Sequence, residues 1–388
     1  MSMQRCDVAI VGGGIVGAAI ALGLLRQGVD VQLFDRDPPM PATDANDYDL
    51  RVYALSIASQ RYLQSIGVWD AIVAERACAY AQMRVWETEP GDALKFDAAE
   101  ARAAALGHIV EGRVIQRQLW RALPPENVHH DCAVESLQVD ADGARLRLGD
   151  GREVAARLVI AADSARSPLR TQQGIEVSGQ RYAHTAVVCH VRTGEPHRHT
   201  AYQRFLPTGP LAFLPLADGR SSIVWSSIEA EQLLAMDDWT FRLSLDEAIQ
   251  HALGPILECT ERVSFPLQLQ NALEYVKPRF ALAGDAAHVV HPLAGQGLNL
   301  GLGDAAELVD VITAARAVRR DIGSLRVLAR YQRARRAEVN EMIAVTDGLY
   351  RAYRVQLPGW DWLRQRGLLA VNAIAPLRQL LVRRACGL

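Results

Sequence analysis

Two stretches, far apart in the chain, share one pattern: a short run that is apolar at every position, then glycines, then apolar residues at helical spacing. In the first, Val8, Ala9, Ile10 and Val11 lead into Gly12, Gly13, Gly14 and Gly17. The pattern predicts a buried parallel strand, a tight turn and a helix beginning near Ile15. In the second, Phe280, Ala281, Leu282 and Ala283 lead into Gly284 and Asp285; after Gly295 and Gly297, residues Leu298, Leu302, Ala305, Leu308 and Ile312 fall on one helical face.

Between them the periodicity changes several times. A second strand is expected at 29–34, a Pro/Asp-rich loop at 38–49, a helix at 55–66, a short β excursion at 81–98 and a helix at 114–123 ended by Pro124 and Pro125. Alternation at Arg145–Leu148 and the turn pair Asp150, Gly151 predict a meander over 131–162. Strands follow at 185–191, 201–206, 209–215 and 221–227, with a helix at 241–253, before the chain returns at 279–285. This is an α/β chain: a discontinuous Rossmann-like unit (1–75, 105–180 and 275–318), an inserted antiparallel β-sheet substrate domain (76–104 and 181–274) and a helical C-terminal region (319–388).

Glycines at the first turn let a backbone approach a pyrophosphate, and the helix start offers free N–H groups with partial positive charge. Asp35 follows at about 20 residues' distance, where a carboxylate accepts hydrogen bonds from an unphosphorylated ribose, as in FAD or NAD. Asp285 projects where a ribityl or ribose hydroxyl would be met, and the helix start behind Gly297 suits a group carrying negative charge, such as a reduced isoalloxazine. The uncharged stretch 8–25 is not read as a membrane or signal helix, because its central glycines would each cost about 1 kcal/mol there. Forty-two Lys and Arg against forty-four Asp and Glu leave a net charge of −2, which points away from nucleic acid. Six scattered cysteines fit reduced thiols and a cytoplasmic protein, and no metal-ligand spacing is evident.

The residues resemble the FAD-dependent aromatic hydroxylases of the para-hydroxybenzoate hydroxylase superfamily, and within them the ubiquinone-biosynthesis group (UbiH/UbiF/VisC). The likeness runs through the opening glycines, Asp49 to Ser56, Val110 to Gln116, Gln203 to Pro215 and, most specifically, Gly284 to Gly301. It implies FAD, O₂ and an external electron donor, either NAD(P)H or a reductase partner, with ring hydroxylation of a polyprenylated phenol or quinol through a flavin hydroperoxide. The resemblance places Gly12, Gly14, Gly17, Asp35 and Arg36 at the adenosine and pyrophosphate and Arg51 at the flavin side. It also places Arg113, Arg117 and Asp163 at the cofactor, Gly284 and Asp285 at the ribityl chain, Pro292 near the ring, and Gly295, Gln296, Gly297, Leu298 and Asn299 around its pyrimidine edge. No side chain is expected as a nucleophile, and Phe213 and Trp225 are the expected pocket lining for a lipophilic aromatic substrate. A ubiquinone-biosynthesis complex and a peripheral contact with the inner membrane are the expected partners; oligomeric state is not read. Other readings are a hydroxylase for a small soluble aromatic, a flavin reductase or dehydrogenase, and a non-catalytic flavoprotein.

Two departures from the family pattern stand out. Ser164 replaces a glycine after Asp163, where a positive φ would store about 1 kcal/mol, and Gly112 follows Glu111 where relatives carry Asn. Ser167 and Pro168 read as a helix N-cap and first helical residue. Arg166 and Arg170 are read equally as structural groups or nicotinamide contacts. Of the remaining polar groups, His288 and His291 read as hydrogen-bonded structure more than proton carriers. His197 and His199 alternate like ligands on a strand without a third partner, and the arginines from Arg319 to Arg336 read as the wet face of a long helix. Arg364, Arg366, Arg378, Arg383 and Arg384 scatter around a tail split by Pro376, which suits docking or peripheral contact but no transmembrane anchor.

Overall fold

The computed structural model describes residues 4–38, 47–290 and 295–354. Its first sheet is built on parallel strands, numbered along the chain, in the order β8 (Val128–His129), β2 (Val31–Phe34), β1 (Gln4–Val11), β11 (Glu153–Ala161) and β19 (Phe280–Leu282). β18 (Val276–Lys277) closes one edge antiparallel, and β9 (Val134–Val139) and β10 (Ala144–Leu148) form the meander that feeds β11. The fully apolar runs lie at its centre: Val8, Ile10, Leu158, Ile160 and Phe280 have no exposed surface. Burial on both faces is why they read as continuous rather than alternating.

Helices α1 (Ile15–Arg26), α4 (Gly112–Ala122) and α8 (Gly297–Ala317) pack around this sheet, with α2 (Ile57–Ser65), α3 (Trp69–Arg76) and α5 (Pro168–Gln172) at its margins. A small antiparallel sheet, β3 (Val52–Ser56), β7 (Gly107–Glu111) and β4 (Cys78–Tyr80), sits beside it. The expected helix at 55–66 is thus β3 followed by α2, because the Ser56 side chain caps the helix by accepting the Ser59 N–H at 3.2 Å.

The inserted sheet has nine strands among the described residues. Its main path is β6 (Leu94–Asp97), β5 (Gln82–Trp86), β13 (Thr200–Leu206), β14 (Gly209–Pro215), β15 (Ser221–Ser227), β12 (Val177–Thr193), β17 (Val263–Ala272) and β20 (His288–Val289); β16 (Ile256–Cys259) pairs with β12. Helices α6 (Ala230–Ala235) and α7 (Asp238–Ala248) cover one face through Val187, Cys189, Phe213, Ile223, Trp225 and Phe241. Phe213 and Trp225 therefore belong to this core and not to a pocket facing the cofactor sheet. Trp225 lies 6.2 Å from Phe241, ring to ring. Alternation along a strand hands the opposite face to their neighbours: Leu214 packs with Val52, Ala54 and Ile109 of the small sheet. Helix α7 starts earlier than its apolar pattern suggests because Asp237 accepts the Thr240 N–H at 2.7 Å, and it stops before Gln250 and His251, both left-handed.

The long helix α9 (Leu325–Arg354) is wet along Arg326, Arg330 and Arg333, but Arg335 is a correction to that reading, since it is buried. Its Nε donates to Asp304 Oδ1 at 2.8 Å. Asp304 Oδ2 accepts the Gly284 N–H at 2.8 Å and faces His288 Nε2 at 2.7 Å. Burial pushes the Asp304 carboxyl up, yet His288 and Arg335 outweigh it and hold it below the usual range. His288 is therefore bound structure, as its reading favoured. No helix among the described residues is long and apolar enough to cross a membrane, and no group of three or more His, Cys, Asp or Glu among them could hold a metal. His197 and His199 lie in a turn, Arg198 and His199 with positive φ, rather than on a strand. His291 and the C-terminal arginines from Arg364 to Arg384 lie outside the described residues. Replacing Asp304 by Asn should cost about 3–5 kcal/mol, because it removes the buried one of Arg335's two carboxylate partners and leaves the exposed Glu338. Urea unfolding checks this, and an unchanged midpoint would refute the account.

Candidate cofactor site

The two glycine stretches meet at the carboxyl edge of the parallel sheet. A Cβ on Gly17 would lie 1.9 Å from the Gly12 carbonyl oxygen, and one on Gly301 would lie 2.6 Å from Val16 Cγ2. Only glycine lets α1, α8 and the turn at Gly284 approach so closely. Gly12, Gly284 and Gly295 have φ of 104°, 59° and 61°, a region that penalises side chains. Both helix starts are left open. Neither Gly14 before α1 nor Gln296 before α8 caps its helix with a side chain, and neither first turn carries an acid. A Cβ at Gly14 or Gly297 would meet nothing among the described residues within 4 Å. Two uncapped N-termini with free space before them and a carboxylate beside each fit a dinucleotide flavin.

Asp35 Oδ2 accepts the Gly13 N–H and its Oδ1 accepts the Asp37 N–H at 2.8 Å, so the carboxylate fixes the glycine turn itself. The Gly13 carbonyl is held in turn by Gln116 Nε2 at 3.1 Å and Trp120 Nε1 at 2.6 Å. Sequence reasoning missed this pair, although both lie one turn apart on the helix predicted at 114–123. Arg36 is exposed and paired with Asp37. Arg113 pairs with Asp47 and Asp49, while Arg117 is buried against Glu75 at 2.5 Å.

Asp163 lies beside Gly12, its Oδ2 facing the Leu169 N–H at 3.5 Å at the start of α5, and its buried Oδ1 has no partner among the described residues. Burial pushes its pKa up. Ser167 caps α5 and Pro168 is its first residue, as the local sequence indicated. Arg170 is buried, donating to Ala286 O and Ala165 O, both at 2.8 Å, and so ties this turn to Gly284–Ala286.

Asp285 is solvent-accessible, yet the protein crowded around it pushes its pKa up against the pull of His288 and Arg51. Arg51 Cζ stands 5.6 Å over the Phe265 ring of the inserted sheet. Across that sheet Phe265 pairs with Ala186 and Ala186 with Ser226, so this row faces Arg51. Asn299 does not point outward: its Oδ1 accepts the Ser56 N–H at 2.9 Å and the Ser59 hydroxyl at 2.7 Å, and its Nδ2 donates to Ala54 O. It joins α8 to β3, with Gln296 Oε1 at 3.3 Å and Leu298 buried beneath. Pro292 lies outside the described residues.

This geometry is that of a dinucleotide-flavin cradle, and comparison with known proteins gives the class, a FAD-dependent monooxygenase. The chain belongs to the FAD binding domain family, matched over residues 5–346, and within it to the ubiquinone-biosynthesis hydroxylases of the aromatic hydroxylase superfamily. It is 37% identical to the 3-demethoxyubiquinol 3-hydroxylase of Escherichia coli K12 over the whole of both chains. It is 38% identical to the ubiquinone hydroxylase UbiL of Rhodospirillum rubrum, covering 98% of this chain and 89% of that one. Against the human ubiquinone biosynthesis monooxygenase COQ6 the identity is 33%, covering 96% and 91%. The fold is that of the p-nitrophenol 4-monooxygenase PnpA of Pseudomonas putida, with TM-score 0.77, 20% identity and coverage of 98% and 97%. It is also that of Klebsiella pneumoniae HpxO complexed with FAD and uric acid, with TM-score 0.76, 20% identity and coverage of 97% and 96%.

Ser164 has φ 86°. Ser164→Gly should keep flavin binding and gain about 1 kcal/mol by removing that strain; a FAD titration with chemical denaturation measures both, and lost flavin binding would contradict the placement of this turn. Glu111, buried at the end of β7 and 3.0 Å from Arg76, has its pKa pushed up to about 7, burial outweighing the arginine. A raised carboxyl favours folding below its unfolded value of about 4.5 and loses that contribution as pH rises towards 7. Melting curves between pH 4.5 and 8 should show this loss, about 3 kcal/mol at most, in the wild type and not in Glu111→Gln. Parallel curves for the two proteins would exclude the shift.

Proposed function

We propose that the protein hydroxylates the aromatic ring of a polyprenylated phenol or quinol in ubiquinone biosynthesis, using O₂ and electrons from an external donor. The observation that carries this is likeness over nearly the full length to hydroxylases of ubiquinone biosynthesis, through both glycine stretches and the inserted sheet alike. The cofactor unit comprises 1–75, 105–180 and 275–318, and the substrate wall 76–104 and 181–274. Bound FAD would supply the redox and oxygen chemistry. The chain's own residues bind, orient and exclude water.

In this reading Gly12, Gly14 and Gly17 admit the pyrophosphate to the start of α1 and Asp35 meets the adenosine ribose through the turn it already fixes. Asp285 accepts hydrogen bonds from the ribityl chain, and Gly295 to Asn299 set α8's positive end against the pyrimidine edge of the ring. The side of the inserted sheet turned to Arg51 continues from Phe265 and Ala186 into Tyr182, Val224 and Leu267, an apolar wall that suits a lipophilic ring and keeps water from it. The donor is a nicotinamide nucleotide or a reductase that visits transiently. A lipid substrate favours peripheral contact with the inner membrane, and membership of a biosynthetic complex is part of the same proposal.

Turnover under ¹⁸O₂ with a prenylated phenol tests the reaction: one labelled oxygen should enter the ring, at a higher kcat/KM than with the unprenylated phenol. Unlabelled product would point to a dehydrogenase, and equal use of the two phenols to a hydroxylase of small soluble aromatics.

A further inference from the structure

Two guanidinium groups, one on each side of the boundary between the cofactor layer and the inserted sheet, reach the same aromatic ring. Arg76, the last residue of α3, has its Cζ 4.1 Å from the centroid of the Tyr48 ring; Arg220, just before β15, has its Cζ 4.8 Å from it. Each cation keeps its own carboxylate, Arg76 with Glu111 at 3.0 Å and Arg220 with Asp218 at 2.6 Å. His190 of β12 meets the same ring edge-on at 6.3 Å. Both arginine side chains are largely buried, which strengthens attraction to a ring face by removing competing water.

The residues after Tyr48 carry this grip to Arg51. The Asp49 carbonyl faces His190 Nε2 at 3.2 Å. Asp49 Oδ1 accepts the Arg51 N–H at 3.0 Å and Oδ2 the Arg113 N–H at 3.2 Å. The Arg51 carbonyl accepts the Gly112 N–H at 2.9 Å, and the Arg51 guanidinium lies over Phe265 with Asp285 near enough to feel its charge. Segment 48–51 is thus the shortest covalent path between a contact that locks the two layers and a cation at the cofactor recess. Each arginine is compensated by its own carboxylate, and the one ring placed to meet both gives each layer a cation–π contact to the same residue.

We propose that Tyr48 is a positioning residue: its clamp between Arg76 and Arg220 fixes the inserted sheet against the cofactor layer and sets the place of Arg51 beside the flavin. The inference rests on the reading above, in which Arg51 lies at the flavin side. With the clamp loosened, Arg51 and the wall behind it no longer close the recess, water enters, and more of the electrons delivered to O₂ leave as hydrogen peroxide (two electrons and two protons per O₂) instead of accompanying oxygen transfer to the ring.

The test uses the FAD-loaded protein with Tyr48→Leu, which removes the ring, Tyr48→Phe, which keeps it, and Arg220→Gln, which removes one cation from a turn outside the cofactor layer. Hydrogen exchange of the peptide spanning 47–56 and the fraction of donor electrons recovered as peroxide with a prenylated phenol are both measured. Tyr48→Leu and Arg220→Gln should each raise the exchange rate and the peroxide fraction at least threefold at unchanged FAD stoichiometry, while Tyr48→Phe should match the wild type in both. Simple loss of stability would leave the peroxide fraction of the folded holoprotein where it was. Arg220→Gln decides the matter if Tyr48→Leu fails to fold. Either quantity staying at its wild-type value in both ring- and cation-deleted proteins overturns the proposal. A wild-type protein that makes no hydroxylated product would instead overturn the functional reading, and the exchange comparison would still decide the clamp.

Discussion

The close passage of α1 across α8 and the turn at Gly284 is the constraint on which the structure depends. A Cβ at Gly17 would collide with the Gly12 carbonyl of its own turn and one at Gly301 with Val16, so α1 folds back tightly on its strand and α8, from far along the chain, brings its N-terminus beside it because those side chains are missing. Helix ends carry unpaired N–H groups and partial positive charge, and neither α1 nor α8 satisfies them with a side-chain cap. The site is therefore built from backbone more than from side chains. The polar residues around it, Asp35, Gln116 and Trp120 on one side and Asp304, His288 and Arg335 on the other, hold the two turns in shape.

The inserted sheet divides its two faces sharply. One is a dry core under α6 and α7, which carries the large aromatics Phe213, Trp225 and Phe241. The other meets the cofactor layer through an apolar row around Phe265, Ala186 and Leu267, and beyond it through charged and aromatic groups: Tyr48, Arg76, Glu111, His190 and Arg220. A wall that must accept a greasy ring gains from being mostly apolar, with few polar atoms to desolvate, whereas a boundary between layers gains specificity from charges that pair in one arrangement. The upward shift of Glu111 reflects the cost of that choice, because a carboxylate there is nearly cut off from water even with an arginine beside it.

Features encoded over a few neighbouring residues were legible in the sequence. The glycine turns, the hairpin at Asp150 and Gly151, the cap at Ser167 and Pro168 and the positive φ at Ser164 all depend on what one backbone segment can adopt. The apolar runs of β1, β11 and β19 were legible for a similar reason, since strands buried on both faces are apolar at every position. Phe213 and Trp225 show where this reasoning stops: alternation marks two faces of a strand but does not say which one meets the cofactor layer, and aromatics serve a core as well as a pocket. Arg335 read as part of a wet helix face because its partner Asp304 is 31 residues away, and nothing local marks either as buried.

The sequence by itself determined that two nucleotide-cradling turns exist and that an antiparallel sheet is inserted between them, because these follow from local backbone conformation and hydrophobic period; the aromatic hydroxylase kind was legible only through the resemblance of its motifs to that family. Only the tertiary structure decided which side chains those turns lean on, which face of the inserted sheet is presented to them, and that Asn299, Arg117 and Arg170 are occupied as internal struts. Those choices rest on contacts between residues remote in the chain, whose energies depend on burial and geometry that no single segment carries.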